Sequence, residues 1–316
     1  MGRFARFTAL AAAVGIAAVV GTEVFARAAL GLGEPPLYQP DSEIEYMLKP
    51  SQDLHRFGNH YVVNRFSMRS EDFSPQRAPG ERRVLVFGDS VVNGGARIDQ
   101  RRLATEQLRA RLTAGGGKAT VGNVSAFSWG PANWLAYARR YGFFDADTVI
   151  VVVNDGDYGD VPSFAPLNPH THPSTPPWSA VWEGATRYLP EYFGTASLGA
   201  PPQEPHEEDR QASLRDLDAF LELAKQGGRK VRLVQHFQRN ELDADVMPTG
   251  LAAFARACAE RGVPVVSLRE PERRSRDSAY FDDIHLNAAG QDILAQGLLA
   301  ALDTADNLFD LAFADR

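Results

Sequence analysis

The segment Val86-Phe-Gly-Asp-Ser-Val-Val-Asn-Gly-Gly95 follows directly on a run of strand formers, Val84 to Phe87, and carries Ser90 at its centre. A serine at that point lies where a parallel strand breaks into a loop, the edge at which open α/β sheets bind ligands. Its hydroxyl becomes a nucleophile only beside a base that takes its proton and donors that hold an oxyanion. Far along the chain, Asp282-Asp283-Ile284-His285 offers that base, because a carboxylate three residues before a histidine can fold back and orient the imidazole. Serine, histidine and aspartate then make a triad for acyl transfer, defined by role rather than chain position. Ser90 as a helix N-cap is the competing reading, and the distant Asp-x-x-His pair weighs against it. Asp282 and Asp283 are both able to orient His285.

Two further blocks lie between these. Asn123-Val-Ser-Ala-Phe-Ser128-Trp-Gly130 follows a second strand pattern, and Asn154-Asp155 ends the run Asp147 to Val153. Asn154 reads either as an Asx turn or as an amide donor. With Gly88-Asp89-Ser90 first and Asp282-x-x-His285 last, the four blocks over residues 82–302 resemble those of the SGNH (GDSL-type) hydrolase family. The resemblance implies a three-layer α/β/α sandwich with a doubly wound, mostly parallel five-stranded sheet of flavodoxin-like order. It implies Ser90 as nucleophile, His285 as general base and Asp282, favoured over Asp283 by the spacing, as its orienting acid. It also implies an oxyanion hole made by the N–H of Ser90, a backbone N–H between Ser128 and Gly130, and the Asn154 amide. Two positions depart from the family pattern: Val152 replaces the glycine two residues before the asparagine, and Ser128 stands where alignment on Asn123 puts the second-block glycine, with Gly130 two residues later.

The activity implied is a serine esterase needing no metal or cofactor, acting on O-acetyl groups of an acylated carbohydrate or polysaccharide. A polysaccharide O-acyltransferase would use the same triad; related acyltransferases carry the acid–histidine pair before the serine, whereas here it follows. A non-catalytic, membrane-tethered carbohydrate-binding or assembly protein is the third reading, motivated by the two missing glycines. Trp129, Trp134 and His236, the last at a strand end on the same edge, are candidate substrate contacts. His170-Thr-His172 and His206 lie in a proline-rich stretch without an acidic partner at ligand spacing, so a surface loop is expected rather than a metal site.

The elements that must position these residues are legible as an alternation. Strands are expected at Arg83–Gly88, Ala119–Val124, Thr148–Asn154, Lys230–His236 and Pro264–Leu268, each an apolar run suited to a buried parallel strand. Helices are expected at Arg102–Thr113, Ala132–Tyr141, Ser213–Gln226, Leu251–Arg261 and Ala288–Leu302, with Ser213-Leu-Arg-Asp216 at capping-box spacing. Between 156 and 211 the periodicity fails in a stretch rich in proline and aromatics; Phe164, Trp178, Trp182, Tyr188 and Tyr192 there either line a cleft or form a satellite core.

At the N-terminus, Arg3 and Arg6 precede an uncharged apolar run, Phe7 to Thr22, which reads as a signal peptide or a membrane anchor over residues 1–30. Either places the catalytic part outside the cytoplasm, secreted or held at the membrane. The remaining divisions are a connecting region at 31–82 with a short strand at Tyr61–Asn64, the hydrolase-like domain at 83–305 with its insertion at 156–211, and a tail at 306–316. In the connecting region, Asn64-x-x-x-Met68-Arg69 is expected to add a strand or clamp beside the first core strand. A net charge of −7 without a basic tract argues against nucleic acid as partner. The single cysteine, Cys258, falls in an apolar pattern and is expected to be a core thiol.

Overall fold

The computed structural model describes residues 2–189 and 204–304. Strands β1 (Tyr38–Asp41) and β2 (Glu45–Leu48) form one antiparallel hairpin, and β3 (Gln52–Arg56) and β4 (Asn59–Val63) a second. The core is a five-stranded sheet of β5 (Glu81–Gly88), β6 (Lys118–Ser125), β7 (Thr148–Val153), β8 (Lys230–Gln235) and β9 (Val265–Ser267). Its spatial order is β6-β5-β7-β8-β9 and every pairing is parallel, which is the expected doubly wound arrangement. Val84 to Phe87 are fully buried, because helices cover both faces of such a sheet and leave no solvated side. Ala104–Thr113 and Ala288–Asp303 pack together on one face; Pro131–Tyr141, Glu207–Lys225 and Thr249–Glu260 cover the other.

This order sets the position of the chemistry. The chain leaves β5 to reach β6 on one side, then returns to β7 on the other, so the carboxyl end of β5 is the switch point at which a crevice opens. Asp89 and Ser90 stand at that crevice.

Three departures from the sequence reading have physical reasons. The connecting region adds no strand beside β5, whose two edges are already taken by β6 and β7. It clamps the sheet's outer strand instead: Arg69 N–H donates to the Asn123 carbonyl at 3.0 Å, and Asn123 N–H donates to Ser70 Oγ at 2.8 Å. The helix expected from Ser213 begins earlier, at Glu207. Glu207, Glu208 and Asp209 fill its first turn, where acidic side chains complement the helix dipole. Ser213 is interior and fully buried, its hydroxyl donating to the Asp157 carbonyl at 3.0 Å rather than capping. Among the described residues the insertion up to 189 forms turns and a short helix, Ala180–Glu183, continued by the π-helical turn Gly184–Tyr188; Tyr188 is half-buried, while Phe164, Trp178 and Trp182 are exposed and Tyr192 lies outside the described residues. Cys258 is buried, and burial pushes its thiol pKa up to about 12.

Candidate active site

Ser90 opens a single helical turn, Ser90–Asn93, capped by Asp89, whose Oδ1 accepts the Val91 N–H at 2.9 Å. Neighbouring elements hold this turn by its carbonyls. Gln291, fully buried on the C-terminal helix, donates to Val91 O at 3.0 Å, and Asn123 donates to Val92 O at 2.8 Å. Gly94 ends the turn at φ 71°, in the left-handed region that favours glycine.

His285 arrives from the opposite end of the chain. Its Nε2 is 2.9 Å from Ser90 Oγ, and its Nδ1 is 2.8 Å from Asp282 Oδ2. Asp282 Oδ1 also accepts the backbone N–H groups of His285 at 2.7 Å and Ile284 at 3.0 Å. Burial works to raise the Asp282 pKa, but the hydrogen bonds from the His285 ring and from the two N–H groups prevail and hold the carboxyl well below its ordinary value. An anion at Asp282 keeps the ring proton on Nδ1, which leaves Nε2 free to accept the Ser90 proton. Of the two candidate aspartates it is Asp282 that faces the ring. The next helix starts at Ala288 after an Asn287 cap, whose Oδ1 accepts from Ala289 N at 2.9 Å and Gly290 N at 3.2 Å. Gly290 allows that helix to press onto the turn before it, since a Cβ would lie 2.2 Å from the Ala279 carbonyl oxygen.

Behind the loop is a pair whose joint role the sequence did not disclose. His236 is completely buried; its Nδ1 lies 2.6 Å from Glu272 Oε1 and its Nε2 2.8 Å from the Ile284 carbonyl. Glu272 also accepts the Phe237 N–H at 3.0 Å. A carbonyl only accepts, so Nε2 carries a proton, and the ring ties the strand end to the residue before His285. His236 was expected at the substrate; its burial and its two satisfied nitrogens make it a brace for the His285 loop instead. Glu272 is 36 positions from its partner and gave no local signal.

Asn154 touches the surroundings of Ser90. Its Nδ2 donates to Asp89 Oδ2 at 3.1 Å and to Asp157 Oδ2 at 3.2 Å, and Asp89 Oδ2 lies 3.4 Å from Ser90 Oγ. Burial raises the pKa of Asp89, and burial together with the Asp89 charge raises that of Asp157 well above the carboxylate range. Nearby Asp160 is pushed up to about 7, by burial and then by the charges of Asp89 and Glu45.

The second block is placed differently from the expectation. Gly130 is buried and its N–H donates to Asn133 Oδ1 at 2.9 Å, at the start of helix Pro131–Tyr141, so this group is committed to capping. Ser128 is exposed at φ 55°, its carbonyl accepting from Tyr46 Oη at 3.3 Å. Trp129 and Trp134, expected to contact substrate, are 1% and 0% exposed. Their indole N–H groups donate to the Tyr46 carbonyl at 2.9 Å and the Gly88 carbonyl at 3.1 Å. Each ring thus fills the core and satisfies a backbone carbonyl; Trp134 steadies the end of β5, two residues before Ser90.

The cleft over Ser90 and His285 has a volume of about 480 Å³, within the range of small-molecule sites. Its walls are largely aromatic, with Tyr38, Phe57, Tyr61, Phe127, Tyr188 and Phe281, and Arg97 and Arg187 also line it. His170 lies on its rim, whereas His172 packs against Tyr38 and Tyr46 with ring centroids at 4.7 and 4.6 Å. Among the described residues one group could share a cation: Asp53, His55 and His60 on the β3–β4 hairpin, with ligand atoms within 4.8 Å of one another. His60 Nε2 is already hydrogen-bonded to Asp53 at 2.7 Å, and the group forms no part of the Ser90–His285–Asp282 array.

No protein-family model and no curated protein matches the sequence. Solved structures do resemble it. A two-domain esterase active on acetylated mannans aligns at 13% identity and TM-score 0.46 over 71% of this chain and 48% of that one, so this chain spans about half of that esterase's length. A lipase/acylhydrolase from Enterococcus faecalis aligns at 13% identity and TM-score 0.45, covering 70% of this chain and 95% of its own. A catalytic mutant of an acetylxylan esterase from Geobacillus stearothermophilus gives 13% identity and TM-score 0.46, with 71% and 95% covered. The chain's own architecture is a five-stranded, all-parallel sheet with helices on both faces. Within it, Gly88-Asp89-Ser90 and Asn154 stand at the carboxyl ends of β5 and β7, and Asp282–His285, reached after helices Arg269–Arg274 and Arg276–Ala279, joins them at that edge.

Proposed function

We propose that the protein is a serine esterase that removes acyl groups, with O-acetyl groups on carbohydrate as the substrate class. The observation that carries this reading is the continuous hydrogen-bonded path from Ser90 Oγ through the His285 ring to Asp282. His285 Nε2 takes the hydroxyl proton as Ser90 Oγ attacks the ester carbonyl, and Asp282 stabilises the imidazolium that forms. The Ser90 N–H, at the first position of a helical turn and so without an intrahelical acceptor, is available to the oxyanion. The Asn154 amide is the second donor. Its Nδ2 donates to Asp89 and Asp157 in the resting site, so one of these two hydrogen bonds is exchanged for the oxyanion. The third donor is a backbone N–H near Ser128. Collapse of the tetrahedral adduct expels the alcohol with the proton from His285, and water then repeats the sequence to free the carboxylate and restore Ser90.

The aromatic walls favour the apolar faces of sugar rings, and Arg97 and Arg187 supply donors to ring hydroxyls. The acetylated-glycan esterases among the similar structures are consistent with that choice. The test is release of acetate and p-nitrophenol from p-nitrophenyl acetate by the full chain, beside Ser90→Ala, followed by acetate release from acetylated oligosaccharides. Turnover that vanishes in the variant supports the reading. A Ser90-dependent burst without turnover would make the protein an acyltransferase awaiting its acceptor. Equal rates in the two proteins would remove Ser90 from the chemistry.

A further inference from the structure

Helix α1 (Arg3–Leu30) is apolar around its whole circumference, with Phe7, Leu10, Val19 and Phe25 each more than half exposed. A helix apolar on every side is suited to lipid rather than water. The 16 residues between Arg6 and Glu23 are uncharged, and the two charges stand about 26 Å apart along the axis at 1.5 Å per residue, close to the hydrocarbon thickness of about 30 Å. Glu23 is the first charged residue after Arg6 and closes the uncharged part of the helix, with exposed Val24 and Phe25 following it. The insertion is fastened at that level: Glu23 accepts from Ser179 Oγ at 2.8 Å, Ala180 N at 2.8 Å and Val181 N at 3.0 Å. A second, buried tie holds the helix end, where Glu183 accepts from Gly33 N at 2.6 Å and from Arg56 at 2.7 Å. Trp178 and Trp182 flank the Glu23 contact. Their rings stack at 6.2 Å between centroids and 30°, yet are 80% and 53% exposed. Indoles are enriched where hydrocarbon meets headgroups.

We propose that Trp178 and Trp182 enter the headgroup boundary of a phospholipid bilayer crossed by α1, forming a second membrane contact beside the helix. The adjoining residues Arg187 and Tyr188, with Phe57 of the β3–β4 turn, line the catalytic cleft, and Phe57 N–H donates to Leu30 O at 2.9 Å. The contact therefore holds the cleft next to the bilayer surface, whatever reaction Ser90 performs. The experiment reconstitutes the full chain, and its Trp178→Phe/Trp182→Phe variant, in phosphatidylcholine vesicles brominated at shallow or deep acyl positions. Trp129 and Trp134 are in the domain core and serve as an unquenched background. Shallow bromines are expected to quench the wild-type emission contributed by two of its four tryptophans, deep bromines less, and neither to quench the double variant. Matching unfolding curves and p-nitrophenyl acetate turnover for the two proteins would show that the substitutions leave the fold and the Ser90 chemistry alone. Equal quenching of wild type and variant, in vesicles that retain the chain, would overturn the proposal. So would failure of the vesicles to retain the chain at all.

Discussion

Asp282→Asn is the most informative perturbation, because the chain offers two adjacent aspartates and only one faces the His285 ring. The variant keeps an oxygen for the backbone N–H groups of Ile284 and His285 but presents an amide to Nδ1. The ring must then accept at Nδ1 and carry its proton on Nε2, the tautomer that cannot take a proton from Ser90. The charge term can be bracketed from exposure. The His285 and Asp282 side chains are 43% and 54% exposed, so their interaction lies between the limits of bulk water and a protein surface. A charge pair near 4 Å contributes about 1 kcal/mol in the first and about 4 kcal/mol in the second. At 1.36 kcal/mol per tenfold, that is a loss of about fivefold to about a thousandfold in rate. Inversion of the tautomer adds to it, giving an expected fall in kcat of about 10³ to 10⁴. Steady-state hydrolysis of p-nitrophenyl acetate at pH 8 measures this, with Asp283→Asn as the partner variant, expected to remain near wild type. A loss under tenfold for Asp282→Asn, or a larger loss for Asp283→Asn, would refute the assignment of the orienting acid.

Three further outcomes are expected. Burial works to lower the His236 pKa, but the charge and hydrogen bond of Glu272 and the Ile284 carbonyl raise it above its ordinary value. The stability it contributes is complete below the unfolded value of about 6.5 and fades as pH climbs through the folded one. Glu272→Gln should therefore lose about 1.5–3 kcal/mol at pH 6 and flatten the decline above it, read from urea midpoints at pH 6 and 9; an unchanged pH 6 midpoint would contradict the pairing. Asp160, pushed up to about 7 chiefly by burial, binds a proton in the folded chain over a range where the unfolded chain has lost it. Stability consequently falls from about pH 4 to the folded value, and Asp160→Asn should remove that fall and raise Tm at pH 8. Trp134→Phe leaves the buried Gly88 carbonyl without its donor, at a cost of about 1–3 kcal/mol. It should lower Tm and leave KM unchanged, whereas a raised KM with Tm intact would return the ring to the substrate.

The five core strands were readable because burial on both faces leaves a run such as Val84–Phe87 with no polar alternation, and no other element of that length looks the same. The Ser90, Asn154, Asp282 and His285 positions were readable because each follows the end of such a strand or precedes a capped helix, so strand order alone carries them to one edge. Side chains whose role depends on a partner far along the chain were not readable. Trp129 and Trp134 sit beside the chemistry in sequence, but which way each ring turns is decided by carbonyls 83 and 46 positions away. His236 ends a strand at the catalytic edge, as a substrate contact would, and Glu272 and the Ile284 carbonyl, 36 and 48 positions away, turn it inward. The helix start at Glu207 was hidden for a different reason: its first turn is stabilised by acidic charge, which leaves no apolar period, while buried Ser213 imitates a cap. Trp178 and Trp182 follow the same rule in reverse. Their setting in a proline-rich stretch suggested either a cleft wall or a satellite core, two ways of burying an indole. Glu23 instead draws residues 179–181 against α1, and the rings beside them are left 80% and 53% exposed. That outward placement is the observation on which the proposed bilayer contact rests.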